Sequence, residues 1–332
     1  GQTAAGCSSS GSQNVAVDPL PTLSPAAGPL APATYDTAYS QSFTASGGTG
    51  PFTYSISPAP PAGLTFSGGV LSGSPNATGT YSFTVSATNA TGCVSAAQSY
   101  SLPVRPNLAA DSYSGVGNTQ LYVVGVAGAP TTPAVANATT ALANDTPTGG
   151  VAVAGIVSPC IGLGGTVTID AVGRFIYTPP IGATGNDVCT YTATSDTGAT
   201  GTPASSTGTI TISLANRVWY VNGLAVAGDG RSHSPFSTLA SASAAHAPLD
   251  VVFVQSGVAP TTTPGAITMQ ASTVLWGQGT ALPQIGGITI QNTGATAKPL
   301  VTGTVTLGGS TITVSSLDVS TAGTTGLTDN QA

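Results

Sequence analysis

Between residues 165 and 194 the chain alternates with a period of two. Val167 and Ile169, then Phe175 and Tyr177, then Cys189 and Tyr191 fall on one side; Thr166, Thr168, Asp170, Arg174, Thr178, Thr190 and Thr192 fall on the other. Strict alternation describes a strand with one buried and one wet face, and nothing in the stretch has helical spacing. Gly173 closes the first turn, Pro179-Pro180 stops the second strand, and Gly182 and Gly185 carry the next reversal. Short Thr- and Val-rich runs punctuated by Gly, Pro, Asn and Asp continue through nearly the whole chain, so the expected fold class is all-β.

Composition points the same way. Charged residues are 5% of the 332, the eleven acids are all Asp, and the bases are Arg105, Arg174, Arg217, Arg231 and Lys298. Helices usually carry Glu, Lys, Arg and Gln on their wet faces, whereas sheets can be solvated by Thr and Ser hydroxyls. A net charge of −6 and a pI near 4.3 argue against nucleic acid and anionic membranes as partners. No apolar run approaches the ~20 residues of a membrane helix. Gly1 reads as a mature or excised end. Ala4-Ala5-Gly6-Cys7 has the look of a lipoprotein box, but no hydrophobic segment precedes it and a lipid anchor is not expected.

Four cysteines can pair in three ways. The two local pairings, Cys7–Cys93 and Cys160–Cys189, are favoured over four buried thiols. Cys7 precedes the first strand of the first module and Cys93 its last; Cys160 and Cys189 flank the alternating stretch. Paired cysteines imply an oxidising, extracytoplasmic setting.

In chain order, residues 1–17 form a polar leader and 18–105 a first module. Phe43, Pro51-Phe52-Thr53-Tyr54, Pro61-Ala62-Gly63-Leu64, Gly69-Val70-Leu71, Gly79-Thr80-Tyr81-Ser82-Phe83 and Gly92-Cys93 recur with strand spacing and intervening turns. These spaced motifs resemble the immunoglobulin-like modules of bacterial surface proteins, which implies a β-sandwich. Leu102-Pro103-Val104-Arg105-Pro106 is a stiff joint. Residues 106–215, with Leu142-Ala143-Asn144-Asp145-Thr146, Gly173–Pro180 and Gly185–Tyr191, resemble the cadherin-like and immunoglobulin-like repeats of large bacterial adhesins, implying a second sandwich. Cys189 stands where that pattern has Phe, and a bridge to Cys160 would make the exchange intelligible.

Residues 216–332 change character. Trp219–Val221, Gly228–Ala242, Asp250–Gly257 and Val274–Gly279 resemble the start of β-helices in secreted and surface proteins, implying a right-handed parallel β-helix that stops in mid-rung. The chain then reads as the N-terminal part of a longer protein, or as one whose open β-helix end another chain covers. One short helix is expected, with Ser234 as N-cap, Pro235 at the first helical position and Phe236, Leu239 and Ala240 buried. Leu249–Gln255 is nearly all apolar, as in a strand buried on both faces.

No catalytic residue is expected. His233 and His246 could join Ser232 or Ser234 with Asp229, but no nucleophile-elbow sequence supports it, and they read as a loop and a helix-end histidine. Polysaccharide chemistry needs clustered carboxylates, and the last region offers only Asp250, Asp318, Asp329 and Lys298. No cofactor is expected beyond calcium, which the cadherin-like resemblance implies; Asp145 and Asp187 would be its ligands, with turn-shaping Asx residues as the competing reading. Asn76, Asn89, Asn137 and Asn144 begin Asn-x-Thr triplets.

The function expected is therefore a non-enzymatic extracellular structural or adhesin-like protein of a bacterial cell surface. It would act as a spacer with protein or glycan contacts. The alternatives are a subunit of a self-assembling filament or sheath, and a fragment of a carbohydrate-active β-helix enzyme. Partners would be other copies, surface proteins or glycans, with no nucleic acid and no membrane insertion.

Overall fold

The fold is described from a computed structural model covering residues 17–123, 132–195, 202–256, 262–279, 284–291, 298–319 and 327–329. The chain divides into two compact units at Arg105/Pro106, apart from a short segment ending at Ala204 that groups with the first.

The described residues of the first unit form ten strands: β1 (Thr22–Ser24), β2 (Gly28–Pro29), β3 (Ala33–Thr34), β4 (Tyr39–Ser42), β5 (Thr44–Ser46), β6 (Thr53–Ser57), β7 (Leu64–Ser67), β8 (Val70–Gly73), β9 (Gly79–Thr88) and β10 (Gln98–Arg105). One sheet runs β2-β10-β9-β6, with β3 also on β10; a second runs β4-β8-β7, and β1 pairs with β5. Period-two alternation decides which side chains meet. Phe83, Val85 and Ala87 of β9 with Tyr100, Leu102 and Val104 of β10 face Phe43, Leu64 and Leu71. Phe43 packs edge-on against Tyr100 with ring centroids 5.0 Å apart, the geometry aromatic quadrupoles favour. Strands β2 and β3, near the start of the module, lie parallel to the closing strand β10, pairing Gly28 with Tyr100 and Ala33 with Val104.

The second unit opens with another sandwich: β11 (Asp111–Gly117), β12 (Gln120–Val123), β13 (Ala134–Asn137), β14 (Val151–Ile161), β15 (Thr166–Ile169), β16 (Phe175–Thr178), β17 (Gly185–Ser195) and β18 (Ala204–Val221). The alternating stretch folds as β15, β16 and β17. Its first two strands form the expected hairpin, Val167 opposite Tyr177. The third leaves it: β17 crosses to the opposite sheet and pairs with β14. Both inward sets still face one core, where Phe175, Tyr177, Cys189 and Tyr191 are fully buried. Cys160 and Cys189 form a disulfide between β14 and β17, Cα atoms 4.4 Å apart. Here too the opening strand closes the module in parallel, Asp111 pairing with Ile210 and Ser114 with Ser213.

Strand β18 continues to Val221 and becomes a wall with two wet-free sides. Val218 and Tyr220 point into the sandwich core, while Trp219 and Val221 point into a separate cluster. Its parallel neighbour β19 (Val251–Val254) does the same, Val251 and Phe253 one way, Val252 and Val254 the other. Burial on both faces is why residues 251–254 are uniformly apolar.

Beyond this wall the strands are short: β20 (Thr262–Pro264), β21 (Ile267–Met269), β22 (Val274–Gly277), β23 (Ile290–Gln291), β24 (Leu300–Thr302), β25 (Val305–Leu307), β26 (Thr313–Ser315), β27 (Asp318–Val319) and β28 (Leu327–Asp329). Except for β23, which joins β13, they pair in parallel as β18-β19-β22-β26, β20-β24-β27 and β21-β25-β28. The chain visits the three ladders in the same order on each pass. Ile267, Met269, Leu275, Val301 and Val305 fill the space they surround.

The helix differs from expectation. It spans Leu239–Ala245, and Thr238, not Ser234, is its N-cap, accepting from the Ser241 amide at 3.3 Å. Backbone pairing overrides the Ser-Pro signal: Phe236 donates to the Tyr220 carbonyl at 2.9 Å and its own carbonyl accepts from the Asn222 amide at 2.8 Å, while Ser234 bridges Arg231, so neither enters a helix. Leu239 and Ala242 are buried, and Phe236 stacks on Trp219 with centroids 5.8 Å apart.

Because Phe253 packs edge-on against Tyr220 inside the shared wall, Phe253→Ala should cost about 3–5 kcal/mol. In chemical denaturation, Trp fluorescence and β-sheet circular dichroism of the second unit should shift to lower denaturant together. Separate shifts would show that the wall does not couple its two sides.

Candidate functional site

The described carboxylates fall into separate clusters, and most hold the chain's own backbone. Asp18 accepts from the Thr49 amide (3.3 Å), Asn89 Nδ2 (2.8 Å) and Thr91 Oγ1 (2.6 Å); these bonds, led by that from Thr91, hold its pKa below the ordinary range. Asp250 binds Arg217 Nε (3.0 Å), Trp219 Nε1 (2.9 Å) and the Ala247 amide (2.9 Å) at the edge of the shared wall. Asp187 is fully buried. Its Oδ1 accepts from the amides of Leu163 (3.0 Å) and Gly164 (3.3 Å), its Oδ2 from the Gly165 amide (2.7 Å) and the Tyr177 hydroxyl (3.0 Å). The 162–165 turn beside the disulfide is thereby fixed.

One cluster is different. Asp145 Oδ1 accepts from the Ala109 amide at 2.8 Å and Oδ2 from the Tyr191 hydroxyl at 3.0 Å. Asp111, at the head of β11, is 6% exposed, and its Oδ2 has no hydrogen-bond partner. Tyr191 and Asn144 reach the Asp111 carboxyl, and Tyr113 donates to the Thr139 carbonyl at 2.9 Å. Burial first, and then the neighbouring Asp145 charge, push Asp111 up to about 7. Burial also raises Asp145, against the pull of Ala109 and Tyr191. The Tyr191 ring lies over Gly208, where a Cβ would overlap it. Sequence reasoning singled out Asp145 and missed Asp111. The signal was there: Asp111 stands two residues before Tyr113, in phase with the buried face of β11.

A second surface is built of hydroxyls. On the outer face of the first sheet Ser55 lies opposite Ser86, Ser57 opposite Thr84, Thr84 opposite Ser99 and Ser82 opposite Ser101. Ser55 and Ser86 bond at 2.7 Å, and Thr84 donates to the Ser57 carbonyl at 3.1 Å. Between Pro29 and Pro58 this face forms a shallow, uncharged groove of about 400 Å³.

The remaining expected residues are dispersed. Asp145 and Asp187, the candidate calcium ligands, sit in different clusters with both oxygens of each engaged by the chain's own donors. Among the described residues no three His, Cys, Asp or Glu side chains gather as a metal site would. Ser232 is buried and accepts from the Gln120 amide at 3.1 Å. His246 is buried with Nε2 accepting from the Gln270 amide at 3.2 Å, which leaves Nδ1–H to donate to the Ala242 carbonyl at 2.9 Å. His233 is exposed. Lys298 and Asp318 are exposed, and the Asp329 side chain lies outside the described residues. Cys93 is half-buried; Cys7, its expected partner, also lies outside them. Of the Asn-x-Thr triplets, Asn76 and Asn144 are exposed, while Asn89 is buried and accepts from the Cys93 amide at 2.8 Å.

Two substitutions test these readings. Asp187→Ala removes the acceptor of three amides, that of Gly165 fully buried, together with the partner of the buried Tyr177 hydroxyl, and should cost about 3 kcal/mol. Replacing both Cys160 and Cys189 by Ala opens a loop with a sequence separation of 29 and should cost about 3–4 kcal/mol. Equilibrium denaturation measures both; a loss under about 1 kcal/mol for either would contradict the role given to it.

Comparison with known proteins follows the same division. Residues 21–105 match the family model described as "Putative Ig domain", and residues 118–213 the one described as "Bacterial Ig domain". No curated protein matches the chain. Among solved structures, a "putative alpha-galactosidase" from Bacteroides fragilis is 21% identical, covering 31% of this chain and 24% of its own, with a TM-score of 0.22. Drosophila N-cadherin EC1-4 is 15% identical over 65% of this chain and 58% of its own, TM-score 0.21. A SusE-like surface located polysaccharide binding protein from Bacteroides thetaiotaomicron is 14% identical over 63% and 38%, TM-score 0.21. The chain thus spans from about a quarter to under two thirds of these proteins' lengths. Taken with the two sandwiches, the family matches show that this chain carries two consecutive Ig-like modules, the second matching a bacterial Ig domain.

Proposed function

We propose that this chain is a non-enzymatic, load-bearing spacer at an extracellular bacterial surface, with its hydroxyl face available for protein or glycan contact. The observation that carries this reading is how each Ig-like module closes. In both, a strand near the start of the module runs parallel to the closing strand: β2 and β3 on β10, and β11 on β18. Tension on the two ends of a module then drags these strands past one another. A ladder loaded in shear must yield many hydrogen bonds at once, whereas an antiparallel hairpin pulled from its open end unzips one at a time. The disulfide fits an oxidising exterior. We read the cyclic parallel ladders that follow as a β-helix, a third stiff element with few charges.

Single-molecule pulling of the whole chain should give a discrete force peak for each Ig-like module. Smooth extension without peaks would remove the mechanical reading, and steady release of sugar products from any polysaccharide would remove the non-enzymatic one.

A further inference from the structure

The buried face of β11 holds a carboxyl that architecture does not explain. Asp250, Asp187 and Asp18 each hold several donors, so their charge is used. Asp111 is buried, one oxygen has no partner, and its nearest charged neighbour is another carboxylate. The groups facing it are Asp145 and Asn144 from the 142–146 turn, Tyr191 from β17 and Tyr113 from its own strand. None is basic. A carboxylate in such a place would meet a like charge in low dielectric with one oxygen unsolvated, while a neutral acid escapes the like charge and costs far less to bury.

We propose that the second Ig-like module holds Asp111 as a neutral acid, and that this proton locks β11 onto β18, so that the closing ladder is tight in mildly acidic medium and loosens as pH rises to neutrality. The turn carrying Asp145 is tied to the entry of β11 by the paired backbone bonds of Asn107 and Thr146, at 2.9 and 3.0 Å. Repulsion between the two carboxylates therefore pushes at the end of the strand where tension would enter.

The direction follows from linkage. Asp111 rises from 3.8 to about 7 on folding. Below about pH 4 folded and open chains both hold the proton, and the full contribution is present. Between about 4 and 7 only the folded chain holds it, so each rise in pH favours opening. Above about 7 neither holds it and the contribution is gone. Asp145, raised in the same sense, adds to the lower part of this window.

The test is amide hydrogen exchange of the whole chain, read on peptides covering 111–117 and corrected for intrinsic exchange. Protection of β11 should fall by up to about tenfold per pH unit between pH 4 and 7 and then level off. In Asp111→Asn it should keep only the shallow fall that Asp145 gives in the lower part of that range, be flat above it, and be higher than wild type at pH 7. A flat wild-type profile, or an unchanged slope in Asp111→Asn, overturns the proposal. So would calcium restoring wild-type protection at pH 8 with a chelator reversing it, since the pair would then serve a cation. Should Asp111→Asn not fold, carbon-13 titration of the wild-type Asp111 carboxyl decides: a midpoint near 7 supports the lock, one near 4 refutes it.

Discussion

The second unit depends on two parallel strand segments with no wet side. In Val218–Val221, the end of β18, and in β19, successive side chains enter different cores, Tyr220 and Phe253 on one side, Trp219, Val252 and Val254 on the other. An ordinary sandwich strand answers to one core and spends its alternate positions on solvent. Here every position answers to a core, which is why the segment cannot alternate and why Asp250 at its edge is held by Arg217, Trp219 and Ala247 together. A boundary drawn at 215/216 therefore falls inside one continuous strand.

Much of this was legible in the chain itself. The alternation through Val167, Phe175, Tyr177, Cys189 and Tyr191 named buried positions correctly because side-chain phase is a local property. Partner choice is not local, and β17 left the hairpin it follows in sequence to pair with β14. The apolar run at 251–254 announced burial on both faces, but which cores it would serve had no local signature. The helix start was misplaced for a related reason. Ser234-Pro235 is a sound capping signal, yet the backbone hydrogen bonds of Phe236 with Tyr220 and Asn222 keep that segment out of the helix and hand the cap to Thr238. Long-range pairing outweighed a preference of about 1 kcal/mol.

Few charges shape how the rest are used. The described ion pairs are Arg174–Asp170, Arg217–Asp250 and Arg231–Asp229. All three also bind the chain's own backbone: Asp170 accepts from the Val172 amide, Arg217 donates to the Gly182 carbonyl and Arg231 to the Pro179 carbonyl. Against this background Asp111 stands apart, a buried acid whose neighbours supply no positive charge. The hydroxyl rows of β6, β9 and β10 do for solvation what lysines and glutamates do elsewhere. Contacts made by such a face should be nearly indifferent to ionic strength, because Debye screening acts on charge.

The shared wall also sets an order of assembly during synthesis. The sandwich core is sealed partly by Val251 and Phe253, which pair with β18 across about 30 intervening residues. As the chain leaves the ribosome, β11 through β18 emerge before that seal exists. The nascent sandwich must therefore wait, with Val218 and Tyr220 uncovered, until translation delivers the next strand.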